Sequence, residues 1–155
     1  MICNKLEMCQ MDIVPHERGQ PMWRQEVVEC LADMERILEE IPAEMVNYGY
    51  SETECFRVRL SLEEAIVNAH KHGNRRDWSK AILVRYFVGA DGVVAQVDDE
   101  GPGFDPDLVP DPRAPENQER PSGRGLLLMR SFLSDVCHNE RGNRVCFCKR
   151  RSSSP

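Results

Sequence analysis

Residues 97–105 read Val-Asp-Asp-Glu-Gly-Pro-Gly-Phe-Asp, acid and glycine at the end of an apolar run. In the frame D-x-G-x-G, formed by Asp99, Gly101 and Gly103, a carboxylate is followed by two residues that lack a Cβ. A carboxylate accepts hydrogen bonds from an exocyclic amine, and glycine lets backbone approach a ligand closely. That is the chemistry of a nucleotide pocket. An acid-glycine run is equally an ordinary turn, so the segments around it decide between the two.

Working upstream, residues 81–88 and 93–98 are rich in β-branched and aromatic types and are joined by Gly89-Ala90-Asp91-Gly92. They read as an antiparallel hairpin that delivers Asp99 at its end. Before it, residues 52–72 read as one helix. Ser51 with Glu54 and Ser61 with Glu64 both have the S-x-x-E form of a capping box. A helix there sets Arg57, Ser61, Glu64, Asn68 and Lys71 in one polar stripe at spacings of four, three, four and three. Residues 28–41 carry apolar positions at helical spacing, and Pro42 marks the expected end of that helix. Residues 24–28 read as a short strand, and 1–22 as a flexible arm.

Downstream, residues 101–123 hold six of the ten prolines and almost nothing to bury. A stretch that long is a functional lid or disorder. Gly123-Arg124-Gly125 then opens an apolar helix over 126–133, and 143–149 alternates as a last strand reached through Arg141-Gly142. The tail, 151–155, is expected to be disordered.

With 155 residues the chain fits one domain with a real core. A net charge of −6 and the lack of a basic patch argue against a nucleic-acid surface. No apolar run reaches the length of a membrane span and no signal-peptide pattern opens the chain, so the expectation is a cytoplasmic protein. Seven scattered cysteines suit buried thiols in a reducing compartment better than a disulfide framework.

Three segments therefore stand in order: Glu64-Ala-Ile-Val-Asn68-Ala-His-Lys-His72-Gly73-Asn74, Asp99-Glu-Gly101-Pro-Gly103-Phe104, and Gly123-Arg124-Gly125 at a helix start. Their order and spacing resemble the N, G1 and G2 boxes of the GHKL ATPase superfamily, and within it the anti-sigma factor serine kinases. The resemblance covers about residues 24–150. It implies an α/β two-layer sandwich of the Bergerat type, with a mixed, mostly antiparallel sheet, helices on one face and a flexible ATP lid over 105–122. The ATPase domain is then 23–150.

The same resemblance implies ATP and Mg²⁺ as cofactors and a protein serine/threonine kinase activity. The phosphate acceptor is implied to be a STAS-class anti-sigma factor antagonist. A sigma factor is a further partner, and a homodimer a common assembly. Glu64 is implied to activate the attacking hydroxyl, Asn68 to give its carbonyl oxygen to Mg²⁺, and Asp99 to take the adenine amine. Gly101 and Gly103 then pass base and ribose, while Gly123, Arg124 and Gly125 receive phosphate at a helix N-terminus. The chemistry is consistent: residues four apart on a helix project into one site, and a positioned carboxylate is what phosphoryl transfer to a hydroxyl needs. One departure is visible. Many relatives have threonine or serine on the last strand where this chain has Asn143-Arg144-Val145. The alternative to a kinase is an ATP-sensing anti-sigma or adaptor module that transfers phosphate weakly. A sensor histidine kinase is disfavoured because the first helix contains no histidine.

Overall fold

The computed structural model describes residues 23–105, 108, 113–115 and 124–152. The described elements are β1 (Arg24–Val28), α1 (Leu31–Asn47), α2 (Glu52–Asn68), a π-helical turn (Ala69–Gly73), β2 (Ile82–Val88), β3 (Gly92–Asp98), α3 (Arg124–Phe132), β4 (Asp135–His138) and β5 (Arg144–Arg150). The sheet runs β1-β2-β3-β5-β4, and each neighbouring pair in it is antiparallel.

Period-two alternation explains the two layers. Ile82, Val84, Tyr86 and Val88 of β2 are buried, in register with Val93, Ala95 and Val97 of β3. Phe147 of β5 and Val136 of β4 continue that face, and Ile37, Leu38, Ile41, Val58, Leu62 and Ile66 of the helices cover it. The core thus lies between one sheet face and the helices, a Bergerat-like α/β arrangement.

The helix expected to stop at Pro42 continues to Asn47. A proline inside a helix costs about 3 kcal/mol. Here Met45 repeats the Ile37, Leu38 and Ile41 stripe one turn beyond the proline, and Tyr50 is buried just after it. Burying two such side chains contributes about 1.5–3 kcal/mol each, which offsets the break.

α2 begins where the first capping box lies: Ser51 Oγ accepts the Glu54 N–H at 3.3 Å, and Glu54 Oε2 accepts the Ser51 N–H at 3.0 Å. The second box is not one. Ser61 is mid-helix and fully buried, with its hydroxyl donating to the Arg57 carbonyl at 2.8 Å. The polar stripe is therefore shorter than the spacing predicts, and Lys71 falls past the helix end, exposed. After Asn68 the backbone widens into the π turn, closed by the Asn74 N–H on Ala69 O at 2.8 Å.

Buried Asn74 then fixes the loop. Its Nδ2 donates to the carbonyls of Lys80 and Ala81, both at 3.1 Å, and its Oδ1 accepts the Glu100 N–H at 2.8 Å. The next two residues, Arg75 and Arg76, have φ of 55° and 61°. The imidazole of His70 stacks on Trp78 at 3.8 Å between centroids.

β4 was not expected from the sequence. Its four residues pair with β5 and place His138 beside Val145. Beyond β5, Arg151 and Ser152 are held. The Arg151 N–H donates to Asp91 O and its guanidinium to Gly49 O, both at 3.0 Å. The Ser152 N–H donates to Glu54 Oε1 at 2.8 Å. Burial pushes the Glu54 carboxyl up, but the Ser152 and Ser51 donors outweigh it and bring it down to about 2. Cys55, Cys146 and Cys148 are buried thiols as expected, whereas Cys30 is exposed and Cys137 is disulfide-bonded. Among the described residues, no helix is long and apolar enough to cross a membrane.

Candidate functional site

The end of β3, the α2–π-turn junction, α3 and the β4–β5 hairpin enclose a cavity of about 340 Å³. Asp99 stands at one side of it. Its N–H donates to Asn143 O at 3.0 Å and its carbonyl accepts Asn143 Nδ2 at 3.2 Å. Its Oδ1 accepts the Gly101 N–H at 2.7 Å. Burial raises the Asp99 carboxyl above its ordinary range, the Gly101 N–H opposes this, and the neighbouring Asp98 charge adds to it.

Two glycines make this packing possible. A Cβ on Gly73 would overlap the Asp99 carboxylate, so the π turn can close over Asp99 only without a side chain there. Gly103 has φ of +82°, and a Cβ on it would overlap the Arg141 carbonyl. The backbone after Asp99 therefore lies directly against the β4–β5 turn.

Glu64 and Asn68 line the same cavity, one turn apart on α2. Neither side chain makes a hydrogen bond or ion pair among the described residues. This contrasts with Asn74, Asn139 and Asn143, whose amides are all engaged. Gly125, in the first turn of α3, sits so close to Glu64 that a Cβ there would overlap its carboxylate. Val97, Leu126, Met129 and Val145 supply apolar walls. The cavity thus offers an amine acceptor on one side, apolar walls for a flat ring, and an uncommitted acid and amide on α2.

The family model for the histidine kinase-like ATPase domain matches residues 27–149. The chain belongs to that family, within the GHKL superfamily. It is 32% identical over 114 residues to the serine-protein kinase RsbW of Bacillus subtilis (strain 168), covering 69% of this chain and 70% of the relative.

Within this GHKL domain the cavity gathers Glu64, Asn68, Asp99, Gly103 and Gly125. Gly101 lies behind it: it donates to Asp99, and a Cβ on it would overlap the Gly73 carbonyl. Arg124 is exposed at the start of α3 and does not line the cavity. Gly123 and most of the proline-rich stretch lie outside the described residues. The residues present fit an Mg²⁺–nucleotide complex, since the uncommitted Asn68 amide oxygen is the hard donor that Mg²⁺ takes alongside phosphates and water.

Sequence reasoning placed the last strand but missed β4 and the contacts by which the β4–β5 turn walls the cavity. Asn139 Nδ2 donates to Asn143 Oδ1 at 2.8 Å, and Asn139 Oδ1 accepts the N–H groups of Asn143 and Arg144, both at 3.1 Å. This Asx-type knot turns the chain so that Asn143 meets Asp99. His138 also lines the cavity, edge-on to Phe104 at 5.4 Å. Burial, with a smaller push from Arg130, lowers its imidazole to about 4, so it is neutral at pH 7. The Asn-Glu-Arg-Gly-Asn run over 139–143 was the available signal: two asparagines flanking a glycine turn.

Proposed function

We propose that this domain binds Mg-ATP and transfers the γ-phosphate to a serine or threonine of a STAS-class anti-sigma factor antagonist, acting itself as an anti-sigma factor in a partner switch. The observation that carries the reading is the pair Glu64 and Asn68, uncommitted and facing the cavity that Asp99 closes. Both are part-buried and line the cavity with no partner among the described residues, which leaves an acid and an amide one helical turn apart available to a ligand. The matched family and the 32% identity to a serine-protein kinase support the same chemistry.

In this reading Asp99 accepts the adenine amine, Gly101 and Gly103 give the base its clearance, and the start of α3 with Gly123, Arg124 and Gly125 receives phosphate oxygens. Asn68 would hold Mg²⁺ through its amide oxygen, and the ion would supply charge neutralisation at the phosphates. Glu64 takes the proton from the attacking hydroxyl, whose oxygen forms the new bond to the γ-phosphorus while ADP leaves.

The test mixes the chain with Mg-ATP and candidate STAS proteins and measures labelled phosphate on serine or threonine. Glu64→Ala should keep ATP binding and lose transfer by at least about a hundredfold, the usual worth of a positioned base. Asp99→Asn should lose ATP binding. Tight ATP binding without transfer to any STAS protein would favour the adaptor role over the kinase.

A further inference from the structure

On the sheet face turned away from the helices, three strands meet in one ion cluster. Asp98 Oδ2 accepts Arg85 NH1 from β2 at 2.7 Å, and Asp98 Oδ1 accepts Arg144 Nε from β5 at the same distance. A second bond, Arg144 NH2 to Asp98 Oδ2 at 3.0 Å, makes the Arg144 contact bidentate. Arg85 Nε is itself steadied by Gln25 of β1 at 3.1 Å, and all three charged side chains are only 16% exposed. None of these side chains enters the reaction as described above.

Their place in the register matters. Asp98 and Arg144 are cross-strand partners in β3 and β5. The next residue on one side and the preceding residue on the other are Asp99 and Asn143, which hold each other by two hydrogen bonds. Successive residues of a strand point to opposite faces. The Asp98–Arg144 pair is therefore back to back with the Asp99–Asn143 pair. We propose that Asp98, clamped between Arg85 and Arg144, is a positioning residue for base recognition, fixing the backbone from which Asp99 reaches the adenine amine.

The inference rests on Asp99 being the adenine-reading residue. Among the described residues, the Asp99 carboxylate has one anchor, the Gly101 N–H. Its aim therefore depends on the peptide plane it hangs from, at the point where β3 leaves the sheet. A largely desolvated ion cluster is weak evidence for stability, since apolar side chains of similar size often do as well. What it supplies is direction, because a bidentate guanidinium–carboxylate pair tolerates little rotation. It also balances the Asp98 charge next door to a second carboxylate.

The experiment compares binding of ATP with binding of purine riboside triphosphate, which is ATP without the 6-amine. Wild type should prefer ATP by at least about tenfold, as sites built around one hydrogen-bonding group do. Asp98→Ala should lose about tenfold in ATP affinity while its affinity for the analogue stays within about twofold, so the preference collapses. Arg85→Gln, which lies away from the pocket and keeps a hydrogen-bonding side chain, should reduce the preference part of the way. It serves as the test if Asp98→Ala does not fold. If both nucleotides weaken in parallel, the cluster only holds the sheet together and the inference fails. An unchanged preference in both variants also overturns it. If wild type shows no preference for ATP, the reading of Asp99 falls first and the role of Asp98 with it.

Discussion

Replacing Asn74 with alanine removes three hydrogen bonds at one buried position. Nδ2 loses the carbonyls of Lys80 and Ala81, and the Glu100 N–H loses Oδ1. Asn74 is 0% exposed, so water cannot take over these groups without opening the loop. Each net bond is worth about 1 kcal/mol, and each stranded partner adds part of its desolvation cost, so Asn74→Ala should cost about 3–5 kcal/mol. For a chain of this size 1 kcal/mol moves the melting temperature by about 2–4 °C, which sets an expected fall of about 6–20 °C. Thermal unfolding followed by circular dichroism gives the shift. A urea titration checks that the m-value is unchanged and that the native state, not the unfolded one, is affected. Because Asn74 ties Gly73 to Glu100 on either side of Asp99, ATP affinity should fall in the folded fraction as well. A melting temperature within about 2 °C of wild type would refute this, since under 1 kcal/mol is too little for three buried bonds.

Acid stability should show two separable windows. His138 is held at about 4 against 6.5 when unfolded, so its contribution is complete above pH 6.5 and lost as pH falls toward 4. The loss is on the order of 3 kcal/mol, and His138→Gln should flatten the pH dependence of unfolding there. Glu54 is held at about 2 against 4.5, so its contribution is present above pH 4.5 and fades as pH falls toward 2. Its magnitude is again on the order of 3 kcal/mol, and Glu54→Gln should be less stable at pH 7 and lose less stability across that window than wild type. Gly125→Ala must displace the Glu64 carboxylate. Phosphate transfer should fall at least about tenfold beyond whatever ATP affinity is lost at the phosphate-receiving start of α3, a split visible in kcat against nucleotide Kd; a loss confined to Kd would refute the effect through Glu64.

Much of the fold was legible because its signals are local. The 81–98 hairpin has alternation and a glycine turn in one short stretch, and the α2 start has a true capping box at Ser51. Asp99, Glu64 and Asn68 were readable as site candidates because each stands at a fixed offset from a glycine or a helix turn. What was not legible depends on distant packing. Pro42 reads as a stop, yet the helix passes it because Met45 and Tyr50 find the core. Ser61 looks like a cap, yet it is buried and bonded to Arg57 O. β4 is too short to show a period and is a strand only because β5 lies beside it. Asn143 touches Asp99 across 44 residues of chain, a contact that no spacing rule announces.

The order of strands in the sheet differs from their order in the chain, and that has a consequence for synthesis. β5 sits between β3 and β4, so β3 has only β2 beside it until residues 144–150 have been made. On a growing chain the strand that carries Asp99 is therefore an open edge, with its outward backbone donors and acceptors unpaired and ready to pair with another chain. Asp98 waits with it, since Arg144 arrives on the same late strand. The pocket is thus among the last parts of the domain to close, and a nascent or truncated chain ending before β5 exposes a sticky strand where the finished protein has its binding wall.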